Sequence, residues 1–327
     1  MNKQFDSGLV WLRRDLRLDD NAALHLALTH CRKVYCAFVF DRAILDPLPR
    51  ADRRVEFIRE SLVELDTALR EASANPHAGL LVRHGQALDE IVGLARQLGV
   101  QSVFAAHDYE PAAIERDRMV FGALAHAGIA MHTIKDHVVF ECRELLTRTG
   151  TPYTVFTPYK KAWLALADET RLQSHDVMPH LAALADRPEA MRQPVPGLQD
   201  IGFERTNLQD LKIAPGIGGA RALFADFFER MDQYHATRDF PAVKGPSYLG
   251  IHLRFGTVSI RRLCAAALQA TMAGSAGAAV WLGELVWRDF YFQILANFPH
   301  VVQGAFKPEF DAIRWRHGAS GSRRTRA

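Results

Sequence analysis

An α/β domain followed by an all-α domain is the fold class predicted for this 327-residue chain. Three observations predict it. Apolar runs of strand length alternate with helix-length periodic stretches up to residue 135. Prolines at 152, 158, 179, 188, 194 and 196 then break the chain into short pieces. From about residue 206 the pattern is helical.

The elements follow in order. Residues 8–12 (Gly-Leu-Val-Trp-Leu) read as a buried strand, followed by a charged stretch, 13–21. Asn21 can cap a helix through Ala22–Leu28. Val34–Phe40 is a second apolar strand. Arg53–Ala72 places Val55, Ile58, Leu62, Leu65 and Leu69 on one helical face. Leu80–Val82, Val100–Ala106 and Ile129–Ile134 read as strands, with helices at Ala87–Leu98 (closed by Gly99) and Ala112–Ala127. This alternation indicates a parallel, doubly wound, Rossmann-like sheet over 1–135. Such sheets bind ligands at the carboxyl ends of their strands, yet the first strand runs into Arg13-Arg14-Asp15 and not a glycine-rich turn. The chain has no GxGxxG and no Walker A motif; Gly216-Ile217-Gly218-Gly219 reads as a loop starting a helix.

Residues 136–205 read as a long connecting segment over the surface, with a short helical piece at Lys161–Ala167. Residues 206–327 carry helices at Gly219–Gln233, Ile260–Met272 and Ala278–Asn297, with a loop over Tyr234–Ser247. The stretch Trp281–Phe292 stands out. A period of 3.6 puts Trp281, Glu284, Leu285, Arg288 and Phe292 on one stripe, with Trp287 and Tyr291 beside it. Flat aromatic faces next to charge suit a planar ring; the alternative is an amphipathic helix with an internal Glu284–Arg288 ion pair.

Composition is that of an ordinary globular chain, 48% hydrophobic and 24% charged. A net charge of +3 leaves a nucleic-acid partner to be decided by local basic faces. No apolar run is long enough to span a bilayer, and residues 1–6 lack the apolar core of a signal peptide. Cys31, Cys36, Cys142 and Cys264 are scattered without a CxxC, so neither a metal site nor a disulfide framework is expected. A cytoplasmic monomer is expected.

Four stretches resemble the DNA photolyase/cryptochrome family, its class I bacterial members most: Trp11–Leu24 (WLRRDLRLDDNAAL), Val155–Trp163 (VFTPYKKAW), Tyr234–Pro241 with Ser247–Gly256, and Trp281–Tyr291 (WxxELxWRxFY). The resemblance implies DNA repair by light-driven electron transfer from reduced FAD to a flipped-out cyclobutane pyrimidine dimer. It makes UV-damaged DNA the partner. Tyr234, Ser247, Trp281 and Arg288 then match cofactor-binding positions. Glu284 matches the carboxylate that hydrogen-bonds the dimer, and Trp287 the tryptophan that stacks on it. Trp315 matches the outermost tryptophan of the family's electron-transfer chain. Lys244 and Arg254 are candidates for holding strand phosphates.

The sequence departs from the family in three places. After Trp315 the family's continuation is not found in Ser320–Ala327, so the helical FAD-binding domain is expected to be incomplete, as a frameshift or an early stop would leave it. Pro246 and Gly250 stand where hydroxyl residues are common near the flavin phosphates. Ala112-Ala113 and Val302-Gln303 replace the pairs that mark folate-binding members, so a folate antenna is not expected; a deazaflavin antenna, a flavin antenna or none stays open. Two competing readings are a cryptochrome-like blue-light sensor and an isolated nucleotide-binding α/β module.

Overall fold

The computed structural model describes residues 3–313. Its first part runs β1 (Phe5–Leu12), α1 (Ala22–His30), β2 (Cys31–Asp41), α2 (Arg42–Leu45), α3 (Arg53–Ala72), β3 (Leu80–Gly85), α4 (Ala87–Gln97), β4 (Ser102–Ala106), α5 (Pro111–His126) and β5 (Ala130–Ile134). The five strands are parallel in the order β3-β2-β1-β4-β5. Strand order reverses at β1, with β2 and β3 added on one side and β4 and β5 on the other, which makes the sheet doubly wound. The register sets Leu9 beside Tyr35 on one side and Val103 on the other.

Both faces of β1 are buried, which is why it reads as a continuous apolar run. Successive side chains point to opposite faces. Val10 and Leu12 join Phe38, Phe40, Phe57 and Phe104 under α1 and α3. Leu9 and Trp11 join Val39, Ile91, Val103 and Leu124 under α4 and α5. The Asn21 side chain caps α1, accepting from Leu24 N at 2.9 Å, and Asp52 caps α3 in the same way.

Residues 136–205 are more than a surface strap. Helix α6 (Phe156–Leu166) buries Tyr159 and Trp163 in the helical core. Farther on, Leu181, Leu184, Leu198 and Ile201 complete the core under α1 and α3, and Ala185 N donates to Val34 O at 2.9 Å. Short 3-10 turns in this segment, Met178–Ala183 with Pro179 near its start and Gln199–Ile201, seat Leu181 and Ile201 on that core.

The second part contains α7 (Gly216–Phe228), α8 (Tyr234–Thr237), α9 (Gly250–Phe255), α10 (Ile260–Met272) and α11 (Ala276–Asn297). Gly216–Gly219 is the first turn of α7 and not a loop before it. The Glu64 side chain caps that turn, taking Gly218 N at 2.7 Å, and Ser61 Oγ takes Gly216 N at 3.0 Å. Gly216 has φ +78 and lies against the Glu64 carboxylate, so no residue with a Cβ fits there. The chain's own carboxylate thus fills the anion position at this helix start. Helix α7 ends at Phe228, before a separate turn at Met231–Gln233.

A buried ionic latch joins the two parts. Asp136 accepts from Arg17 at 2.7 and 2.8 Å and from Arg261 at 2.9 Å. Asp20, held at φ +52, accepts from Arg261, from Ser259 Oγ and from the His175 amide. All four charged side chains are almost fully buried. Arg17 and Asp20 bring the charged stretch 13–21 into this latch. Its partners lie more than a hundred residues away, which hides the arrangement from any local reading.

Candidate functional site

Helix α11 carries most of the expected site residues. Ser275 caps it, accepting from Ala278 N at 3.1 Å. Trp281, Leu282, Leu285, Val286, Asp289, Phe290 and Ile294 are all buried, so the helix is packed on most of its circumference. A stripe of apolar and charged residues could not identify its open side.

The stripe divides in the structure. Trp281 is 3% exposed and lies in the core, its ring 4.7 Å from Phe227 and 6.2 Å from Phe224. Tyr234 packs edge-on against the same Phe227 at 5.7 Å. Arg288 turns toward the α/β part, donating to His137 O and Leu253 O, with its guanidinium 4.6 Å from the Phe292 ring. Burial pushes its pKa down to about 10.

Glu284, Trp287 and Tyr291 face outward. Glu284 does not pair with Arg288. Its Oε1 accepts from Arg238 Nη1 at 2.5 Å, because Arg288 points to the domain interface while Arg238 reaches in from the end of α8. Arg238 also lies over the Tyr234 ring at 5.4 Å, which holds its side chain across the front of α11. Sequence reading did not single out Arg238, although it sits four residues after Tyr234 in the quoted motif.

Trp287 stacks on Phe156, the first residue of α6, at 3.5 Å and 8°. Tyr291 stacks with it at 5.4 Å and 23°. The VFTPYKKAW segment thus reaches α11 through Phe156, and deeper through Trp163 Nε1, which donates to Asp289 Oδ2 at 3.0 Å.

The loop before α9 has a distinct polarity. Arg230 donates to the carbonyls of Lys244, Gly245 and Pro246. In a planar trans peptide the N–H opposes the carbonyl, so the Ser247 amide points away from Arg230. Tyr248 follows at φ +57. No described residue accepts from the Ser247 or Tyr248 amide, and Ser247 Oγ takes Leu249 N at 3.4 Å. Adjacent amides on such a backbone suit a phosphate. Lys244 is paired with Asp226 at 2.7 Å and Arg254 with Glu110 at 2.7 Å. Trp315 lies outside the described residues.

A dinucleotide cofactor therefore finds donors of the right kind for its phosphates at Ser247–Tyr248. Trp281 and Arg288 do not present an open face to its ring system, since packing occupies the first and backbone carbonyls the second. Tyr234 likewise shows little surface, at 8% exposed.

Residues 8–180 match the DNA photolyase family model, and residues 281–326 match the FAD binding domain of DNA photolyase. A deoxyribodipyrimidine photo-lyase of Synechococcus is 31% identical over 320 residues, covering 94% of this chain and 64% of the relative. An uncharacterized 31.6 kDa protein of another Synechococcus strain is 34% identical, covering 86% of this chain and 98% of the relative. The crystal structure of a class III photolyase from Agrobacterium tumefaciens superposes with a TM-score of 0.79 at 25% identity, covering 97% of this chain and 64% of that one. The chain thus spans somewhat less than two thirds of the photolyases it matches. With its parallel sheet, the helical part behind it and the matched FAD-binding segment, the chain belongs to the DNA photolyase family.

Proposed function

We propose that this chain serves light-driven repair of UV-damaged DNA, splitting cyclobutane pyrimidine dimers with FAD as cofactor. The observation that carries this reading is the outward face of α11, where the Glu284–Arg238 pair lies one turn from the Trp287 stack. Reduced FAD, when bound, supplies the light-excited electron that opens the cyclobutane ring and takes it back afterwards.

The chain's own residues do the rest. The Ser247 and Tyr248 amides hold the cofactor phosphates. Tyr234 and Trp281 pack around Phe227 and Arg288 is turned to the His137 carbonyl, so the three support the site from within the packing rather than as an open contact surface. Glu284 offers a carboxylate to the extruded pyrimidines, and Arg238 fixes its rotamer through a charge-assisted bond. Trp287 is the middle ring of the aromatic stack against which the flipped dinucleotide packs. Extrusion costs a few kcal/mol, less at an already distorted dimer, which favours damaged over intact DNA. Lys244 and Arg254 meet strand phosphates by exchanging their present carboxylate partners.

The protein acts as a cytoplasmic monomer. Its four cysteines are free and buried, which suits a reducing compartment. No helix among the described residues is long and apolar enough to cross a membrane. A folate antenna is not part of the reading, because Ala112-Ala113 and Val302-Gln303 do not reproduce the residue pairs of folate-binding members.

The test is photorepair by the purified 327-residue chain supplied with FAD. Dimers should disappear from an irradiated oligonucleotide in the light and persist in the dark. Equal dimer content in both would end this reading.

A further inference from the structure

We propose that Tyr291 is a nucleobase-stacking residue, the open end of a three-ring stack formed by Phe156, Trp287 and Tyr291. The inference rests on the DNA-repair reading above and assigns a contact on that same face.

Trp287 has little free ring surface. Phe156 lies parallel to it at a centroid distance of 3.5 Å, which leaves no room for a base on that side. Tyr291 stacks on it from the next turn of α11 at 5.4 Å. A base brought to this stack meets Tyr291 first. The Tyr291 side is open: the residue is 62% exposed, on a helix whose other large side chains are mostly buried. Phe156 and Trp287 back it, so the ring is held without spending binding energy on ordering it.

Charge identifies the occupant. Phe156 and Lys160 are four residues apart on α6 and lie along α11, Phe156 against Trp287 and Lys160 over Gly283, one turn earlier. A Cβ at Gly283 would come within 2.7 Å of the Lys160 amine, so the glycine lets that amine lie close to the helix. Among the described residues, no carboxylate lies within salt-bridge distance of Lys160 or Lys161, whereas Lys244 and Arg254 are both paired. Lys160 thus carries an unpaired ammonium along the same helix, two turns from Tyr291, which suits a strand that presents phosphates and bases together. An apolar protein segment would leave that charge unmet.

The experiment measures binding of the full chain to a labelled single-stranded thymine oligonucleotide carrying one cyclobutane dimer, by fluorescence anisotropy over a salt series. Tyr291→Ala is expected to weaken binding about fivefold to hundredfold, the loss of one base–aromatic stack. Tyr291→Phe keeps the ring and should bind within about twofold of wild type. The slope of log affinity against log salt should be the same for all three, because no phosphate contact is removed. Wild-type affinity in Tyr291→Ala, or an equal loss in Tyr291→Phe, overturns the proposal while leaving the repair reading in place. A loss of affinity accompanied by a lower unfolding midpoint assigns Tyr291 to packing and also overturns it. If the wild-type chain does not bind the oligonucleotide, the repair reading fails and this proposal falls with it.

Discussion

The Trp163 indole donates to Asp289 Oδ2 at 3.0 Å, a hydrogen bond that ties the connecting segment to the centre of α11. The same oxygen accepts from the amides of Val139 and Phe140. One buried carboxylate thus anchors two parts of the connecting segment. Its other oxygen, Oδ1, has no partner among the described residues.

Asp289 makes stability depend on pH. Burial raises its pKa to about 6, against the opposing effects of the Trp163 bond and the Arg288 charge. A raised folded-state value means that the native state holds its proton more tightly than the unfolded chain, whose aspartates titrate near 3.9. The contribution is therefore full below about pH 4 and fades as pH rises through about 6. Asp15, also raised to about 6 by burial, adds to the same slope. Asp289→Asn should flatten part of it. Urea unfolding across this range checks the change; an unaltered slope would clear Asp289 of the role.

The Asp136 latch has the opposite sign. Burial alone would raise this carboxyl, yet the Arg17 and Arg261 charges hold it well below the usual carboxylate range. Its contribution is present above the unfolded value and lost only in strong acid. Asp136→Asn leaves two buried guanidinium groups short of charge and should cost about 3–5 kcal/mol. Denaturant unfolding at neutral pH measures this directly. A cost under about 1 kcal/mol, the range of exposed pairs, would show that the latch is solvated in solution.

Gly256 is the backbone counterpart of that latch. It sits at φ +67, and a Cβ there would collide with the Arg14 carbonyl. Its own carbonyl accepts from Arg17 at 3.1 Å, and the preceding Phe255 carbonyl accepts from Leu16 N at 3.1 Å. Gly256→Ala forces strain against backbone that cannot rotate away, and should cost more than about 2 kcal/mol. Gly283→Ala meets only the mobile end of Lys160 and should be far milder. Thermal unfolding of the two variants side by side tests the contrast.

The α/β part was legible because its strands are buried on both faces and its helices on one. Each local period carries that information, as in Arg53–Ala72, where sequence and structure agree to the residue. Helix α11 was legible as a helix and not as a surface. With Trp281, Leu285 and Asp289 buried alongside Val286 and Phe290, the 3.6-residue stripe no longer separates inside from outside. Its partners came from other segments: Arg238 for Glu284, Phe156 for Trp287, His137 for Arg288. No spacing rule reports such pairs. The prolines of 136–205 misled for a related reason, since they fix turns without saying whether Trp163 or Leu181 between them is buried.

Arg238 offers the sharpest test of the site itself. It is partly exposed, so its bond to Glu284 adds little to stability and its removal should leave the unfolding midpoint nearly unchanged. Its effect should fall on positioning. Without it the Glu284 carboxylate is free among rotamers, and a reacting group misplaced by about 1 Å can lose on the order of a hundredfold in rate. Arg238→Ala is therefore expected to lower light-driven dimer loss by up to about a hundredfold at saturating DNA. Arg238→Lys keeps the charge and loses the planar fork, so it should fall between. Repair rates under fixed illumination, measured with urea unfolding of the same samples, separate the two effects. Unchanged repair in Arg238→Ala would show that Glu284 needs no partner to hold it, and a matching fall in stability would place Arg238 in the scaffold instead.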